Sequence, residues 1–215
     1  MARDVAEILV EGDLLRHDTH GLSLLSGYLG ELKRGGMKRS GEVHTLAERA
    51  AVATWDGERL PGPWLVRRAL RWARPRAREQ GAATVVIRRS HHVGCLAAYL
   101  IDAASEGLLT LVSCSDPSSA TVAPFGGIKA LFSPNPLAMG IPARSGPVMI
   151  DISASVTTNG MSARLKQAGL RGDHDWWLDA GGKPGNDPAV LWASPPGSIL
   201  PLGGTETGHK GYGLA

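Results

Sequence analysis

A mixed α/β fold that is not of the Rossmann type is what this sequence predicts. Apolar residues recur at helical spacing in several stretches. Short β-branched runs, bounded by turn residues, alternate with them. No Gly-x-Gly-x-x-Gly follows any of those runs, so the usual βαβ dinucleotide fingerprint is missing.

The elements follow in order. Val5, Ile8 and Leu9 predict an opening helix with no evident capping residue. Leu22, Leu25, Leu29 and Leu32 mark an amphipathic helix that Gly35-Gly36 ends. Residues 51–55 predict a short strand closed by Asp56-Gly57. Leu65, Ala69 and Trp72 mark another helix. Pro75 is expected to break or kink it, because proline lacks an N–H and its ring meets the preceding turn. The run 84–87 predicts a buried strand, 96–106 a helix and 108–112 a strand. Residues 113–147 are rich in Pro and Gly, but apolar pieces such as Leu137–Ile141 interrupt them, so strands joined by shaped loops are expected. Val148–Ile152 predicts a strand, and 154–168 a helix stopped by Gly169. From 171 to 204 the chain is rich in Gly, Pro and Asp, with Trp176, Trp177 and Trp192 to pin it down.

The 215 residues are enough for one large domain or two small ones. At 43% hydrophobic and 20% charged, the composition is that of a globular chain. No apolar run reaches the roughly 18 residues of a membrane helix, and Met1-Ala2-Arg3-Asp4 does not open a signal peptide. Two cysteines, Cys95 and Cys114, make no disulfide framework, so a reducing cytoplasmic setting is expected. The net charge is +3. Arg67, Arg71, Arg74 and Arg78 lie near one helical face. Without an aromatic platform or groove motif, they predict a solvated face rather than a nucleic-acid patch.

Four constellations carry candidate chemistry. His17-Asp18-Thr19-His20 offers a His-x-x-His pair, but zinc needs three or four ligands and nothing nearby completes a set. A turn in which Asp18 or Thr19 caps the next helix is the competing reading. Ser90-His91-His92-Val93-Gly94 leaves a strand, where loops on a rigid scaffold present functional groups. Histidine there suits proton transfer near neutrality, or is an ordinary loop residue. Ser133-Pro134-Asn135-Pro136 fixes an amide between two prolines, as a site group or as a turn. Gly203 to Gly213 nearly spells a P-loop. However, His209 displaces Lys210 from the last glycine, and Gly211 follows where Ser or Thr is needed. The lysine can still approach a pyrophosphate or carboxylate.

The order of the motifs is more telling than any one of them. Asp18-Thr19-His20-Gly21, Ser90-His91-His92-Val93-Gly94, Ala123-Pro124-Phe125-Gly126-Gly127, Asn135-Pro136-Leu137, Ile150-Asp151-Ile152-Ser153 and Gly208-His209-Lys210-Gly211-Tyr212-Gly213 follow one another along nearly the whole chain. In that order they resemble the malate/L-lactate dehydrogenase-like family, which includes sulfolactate, ureidoglycolate and diketogulonate oxidoreductases and cyclic-imine reductases. The resemblance implies a non-Rossmann fold, in which a mixed or antiparallel sheet domain that holds NAD or NADP packs against a helical domain, in a homodimer. Residues 1–80 would then be a helical region contributing to the substrate site, and 81–215 the cofactor-binding sheet domain. His20 and His92 match the family's active-site histidines. Ser115, Asp151, Ile152, Ser153, Ala154, His209 and Lys210 fall at its cofactor contacts, and Thr19 and Asn135 at the substrate. No metal is implied.

The implied reaction interconverts a 2-hydroxy acid and its 2-oxo acid. His92 would serve as acid/base, and His20 would orient the substrate. Asp151 would hold a cofactor hydroxyl or fix an imidazole tautomer, and Lys210 would contact cofactor or substrate carboxylate. Two departures qualify this. Many members carry an arginine four residues after the His of the His-Gly motif, a fork for the substrate carboxylate; here Leu24 stands there, and Gly27 occupies the next basic position. Members also continue beyond the Lys210 motif and begin before Val5. A truncated, inactive member that keeps partial cofactor binding is therefore the alternative expectation.

Overall fold

The computed structural model describes residues 1–215 and is mixed α/β. Its chain forms two compact units, Met1–Leu111 with Met139–Ile150, and Val112–Ala138 with Asp151–Ala215.

In the first unit, α1 (Ala2–Leu14) buries Ile8 and Leu9. α2 (Leu25–Arg34) follows a short 3₁₀ turn at Leu22–Leu24 and ends at Gly35, whose φ of 77° is the left-handed cap that glycine adopts without steric cost. The predicted leucine stripe is present but faces outward: Leu22, Leu25 and Leu29 are exposed, while Tyr28 is buried with Leu9 and Met37, flanked by Leu24 and Leu32. Periodicity located the helix but not the face it buries.

Three strands, β1 (His44–Arg49), β2 (Val52–Asp56) and β3 (Thr84–Arg88), form a sheet in that order. β1 and β2 are antiparallel and β2 and β3 parallel, with α3 (Gly62–Gln80) as the crossover. β1 gave no signal in the sequence because it is an edge strand exposed along its whole length, with no apolar alternation. One face of the sheet packs Ala53 and Trp55 against Ala69 and Trp72 of α3, with Val85 and Ile87 beside them. The other face is open. Val86 is 54% exposed, so β3 is not the buried strand its β-branched run predicted. An edge strand with one covered face tolerates such residues on its solvent side.

α3 runs through Pro75 without breaking. Arg74 and Arg78 on either side of the proline bind Glu106, and Arg76 bridges to Glu48 while its guanidinium lies 3.9 Å over the Trp72 ring. Arg67 and Arg71 bind Asp4. The arginine row is thus committed to carboxylates within the unit. The region predicted as one helix is a 3₁₀ turn (Ala97–Tyr99) and a short α4 (Ile101–Ser105). The strands β4 (Thr110–Ser113), β5 (Leu137–Ile141) and β6 (Val148–Ile152) form a second sheet in the order β4-β5-β6. Gly140 of β5 has no room for a side chain, since a Cβ there would stand 2.9 Å from Leu100.

In the second unit, α5 (Asn159–Gln167) is capped by Thr158, which accepts from the Met161 N–H. Three two-residue strands, β7 (Trp177–Leu178), β8 (Pro184–Gly185) and β9 (Ser198–Ile199), form a small sheet in the order β8-β7-β9. Trp177 is the anchor: it is buried against Val122 and Ile199, and its indole N–H donates to Ser162 Oγ at 3.1 Å. Trp176 packs beside it, whereas Trp192 is half exposed beneath Lys166. The chain closes with α6 (Gly204–Thr207) and α7 (His209–Leu214).

Candidate functional site

The first group of candidates lies wholly in the first unit. The loop 17–20 links α1 to the turn before α2. It is held by Asp13, whose carboxylate accepts from the Leu22 N–H at 3.1 Å. The helix-start N–H thus goes to Asp13 rather than to Asp18 or Thr19, because α1 brings that carboxylate under Gly21, where a Cβ would clash with it. Thr19 instead pairs with the next side chain, its hydroxyl 2.8 Å from His20 Nδ1.

The second histidine comes from the loop after β3. Its base is Asp56, at the end of β2 and 1% exposed. Arg89 Nε contacts both its oxygens at 2.8 and 2.9 Å, Arg88 Nε lies at 3.0 Å, and the Glu58 N–H donates at 3.0 Å. The bonds from Arg89 outweigh burial and hold the carboxyl far below the usual carboxylate range. The loop then crosses the start of α3, where Gly62 approaches so closely that a Cβ would stand 2.4 Å from the carbonyl oxygens of both His91 and His92.

These two loops bring His20 and His92 together across the unit. Their rings stack, with centroids 5.7 Å apart and planes 26° apart. His92 is exposed and His20 half-buried. Behind them stands buried Tyr28. Its Oη lies 2.9 Å from His92 Nδ1 and donates to the His92 carbonyl at 3.1 Å, while the Gly94 N–H donates to the same Nδ1 at 3.1 Å. Burial pushes the Tyr28 hydroxyl above its ordinary range. His91 packs edge-on against Tyr28, and burial lowers its pKa. Sequence reasoning missed Tyr28. Its one signal was a tyrosine eight residues after His20, obscured by the leucine stripe around it. Leu24, at the expected arginine position, packs on the Leu9–Tyr28–Met37 cluster.

The remaining candidates lie in the second unit, and backbone bonds gather most of them. The Ala154 N–H donates to Pro134 O at 2.8 Å, the Leu202 N–H to Ala154 O at 2.9 Å and the Gly211 N–H to Leu202 O at 3.2 Å. This ladder brings Asn135, the segment 151–154 and the turn holding His209 and Lys210 into one neighbourhood. Asn135 sits at φ 42° between its prolines and donates its amide to Ala215 O. Gly208 and Gly211 flank His209-Lys210 at positions where a Cβ would collide with backbone, which leaves both side chains exposed. Phe125 meets the His209 ring edge-on. Nearby, a recess of about 200 Å³ is lined by Phe125, Gly126, Gly127, Leu200, Pro201 and Gly204. Ser115 is exposed, two residues beyond β4. Asp151 is half-buried. Burial, followed by the charges of Asp151 and Asp116, pushes the Cys114 thiol up to about 11.

The profile of the malate/L-lactate dehydrogenases matches residues 1–215. The chain belongs to this family. A family relative, the L-lactate dehydrogenase of Cupriavidus necator, is 32% identical over 217 residues and is matched over 100% of this chain and 61% of its own length. The (2R)-3-sulfolactate dehydrogenase (NADP(+)) of Chromohalobacter salexigens is 32% identical over 215 residues, matching 100% of this chain and 62% of its own. The solved malate dehydrogenase of Entamoeba histolytica superposes with a TM-score of 0.92 at 28% identity, over 99% of this chain and 61% of that one. The chain thus spans about 60% of the length of such family members.

Proposed function

We propose that this chain carries the acid/base histidines and part of the nicotinamide site of an oxidoreductase that interconverts a 2-hydroxy acid and its 2-oxo acid. The observation that carries the reading is the stacked His20–His92 pair with His92 open to solvent. Reduction of a ketone leaves an alkoxide that needs a proton, and an imidazole within reach supplies it, typically worth about 10² to 10⁴ in rate. His92, backed by Tyr28 and Gly94, is the group that moves the proton. His20, tied by Thr19, orients the substrate. Two imidazolium rings at this separation would repel each other. Thr19 and Asn135 are the further substrate contacts, with residues 1–80 as the substrate side and 81–215 as the cofactor side.

A bound nicotinamide supplies or takes up the hydride. Its fit is supported by the recess walled by Phe125, Leu200 and glycines that add no side chain to it, and by the exposed Lys210 as a cation for a pyrophosphate. Ser115, the run 151–154 and His209 complete the proposed cofactor contacts, for NAD or NADP. The name of the Chromohalobacter relative is the argument for testing NADP first. Cys95 and Cys114 are both thiols, in keeping with a cytoplasmic protein, and no helix is long and apolar enough to cross a membrane.

A second reading, cofactor binding without turnover, is favoured by Leu24, which leaves no guanidinium at the expected carboxylate clamp. One experiment separates the two. The protein is offered a panel of 2-oxo acids and cyclic imines while NADH and NADPH oxidation is followed by absorbance. Turnover that His92→Ala lowers by about 10² or more, with cofactor affinity unchanged, supports the first reading. Cofactor binding with no turnover on any substrate supports the second.

A further inference from the structure

Two groups converge on His92 Nδ1, and they are not equivalent. The Gly94 N–H, 3.1 Å away, can only donate. The Tyr28 hydroxyl, 2.9 Å away, donates or accepts, and the His92 carbonyl oxygen stands 3.1 Å from it as a second acceptor for its hydrogen. Burial keeps this phenol protonated through the range in which imidazoles titrate.

A neutral histidine that takes a proton on Nε2 must carry its own hydrogen on Nδ1. The Gly94 N–H opposes that form. It favours the ring with hydrogen on Nε2, which donates to a substrate but accepts no proton there. Tyr28 reverses the preference. When its hydrogen turns to the His92 carbonyl, Oη is left to accept from Nδ1–H.

We propose that Tyr28 is the positioning residue of this site: by turning its hydroxyl between Nδ1 and the carbonyl of His92, it admits the Nδ1–H ring and lets Nε2 take up and return the proton. Other titratable groups bear on the ring differently. His20 stacks on its face. His91 packs against the far side of Tyr28, with Glu31 3.9 Å from its Nε2. Their charges act on the ring as a whole, whereas Tyr28 acts at one nitrogen. The effect on turnover rests on the function proposed above; the effect on the ring does not.

Nitrogen-15 shifts of the His92 ring, followed against pH in the full chain, report tautomer and pKa without any turnover. In Tyr28→Phe the neutral ring should move to the Nε2–H form, and the pKa of His92 should fall by on the order of one unit, tenfold in proton affinity, because the imidazolium loses its acceptor at Nδ1. 3-Fluorotyrosine at position 28 keeps the shape and weakens the acceptor, so it should shift the pKa the same way by less, and it serves if the phenylalanine variant folds poorly. In turnover, Tyr28→Phe should lower kcat about tenfold or more with KM within about threefold, and the pH profile should move with the ring pKa. Unchanged tautomer and pKa in the folded variants overturn the proposal, and so does a loss expressed through KM. If parent and variants alike turn over no oxo acid, the functional reading fails, and the ring titration still decides the role of Tyr28.

Discussion

At the scale of single residues, the chemistry concentrates on a few side chains whose surroundings limit what they do. His92 is an exposed residue, and its Nδ1 is held between the Tyr28 hydroxyl and the Gly94 N–H. Leu24 is equally informative. It contributes to the packing of α2 on α1, and an arginine there would trade an apolar contact for a cation beside His20. We expect Leu24→Arg to cost about 1 kcal/mol of stability and to lower KM for malate-like dicarboxylates several-fold. Thermal melts and steady-state kinetics check the two halves. A variant that melts lower and gains nothing on dicarboxylates would show that the pocket takes its carboxylate elsewhere.

At the scale of elements, two devices hold the His91–His92 loop, and neither is itself chemical. Gly62 lets the start of α3 lie against the loop carbonyls. A Cβ there would meet backbone at 2.4 Å, which no rotamer relieves. Gly62→Ala should therefore cost about 1 to 3 kcal/mol and lower turnover, measured by denaturant unfolding and initial rates. The buried Asp56 ties β2 to Arg88 and Arg89 just before the histidines. Its carboxyl titrates far below its unfolded value of about 3.9, so the stabilisation is complete above that pH and is lost as pH falls toward the folded pKa. Asp56→Asn should thus lower Tm at pH 7, and the gap from the parent should narrow as pH falls below about 4. A gap that stays constant down to pH 2 would mean the ion pairs are not what the carboxylate contributes.

At the scale of the molecule, several apolar rows remain uncovered. Leu22, Leu25 and Leu29 project from α2, and Val148, Ile150 and Ile152 alternate along the outer face of β6. Rows of this kind mark surfaces that another surface covers, and a second copy of the chain is the partner we propose. Sedimentation velocity over a range of concentrations should show reversible association. Leu25→Glu with Leu29→Glu should weaken it at least tenfold while leaving the circular dichroism unchanged. A monomer at all concentrations would remove the homodimer from the reading.

The sequence by itself determined which segments are helix and which strand wherever one face is regularly apolar, as in α2, α3 and β6. It also carried the motif order that marks the family, because both are written in local spacing. Edge strand β1 and the two-residue strands β7 to β9 left no such trace, since so few residues, or residues so exposed, carry no period. Pro75 does not end α3, and the arginines around it pair with Glu48 and Glu106, which are remote in sequence. The candidate histidines were legible as residue types on loops. That they stack, that Tyr28 backs one of them and that Asp56 and Gly62 set their loop was decided only by the tertiary structure. Those contacts join residues as many as 72 positions apart (His20 and His92), and a hydrogen bond or a close approach depends on distance in space, which local spacing along a chain does not encode.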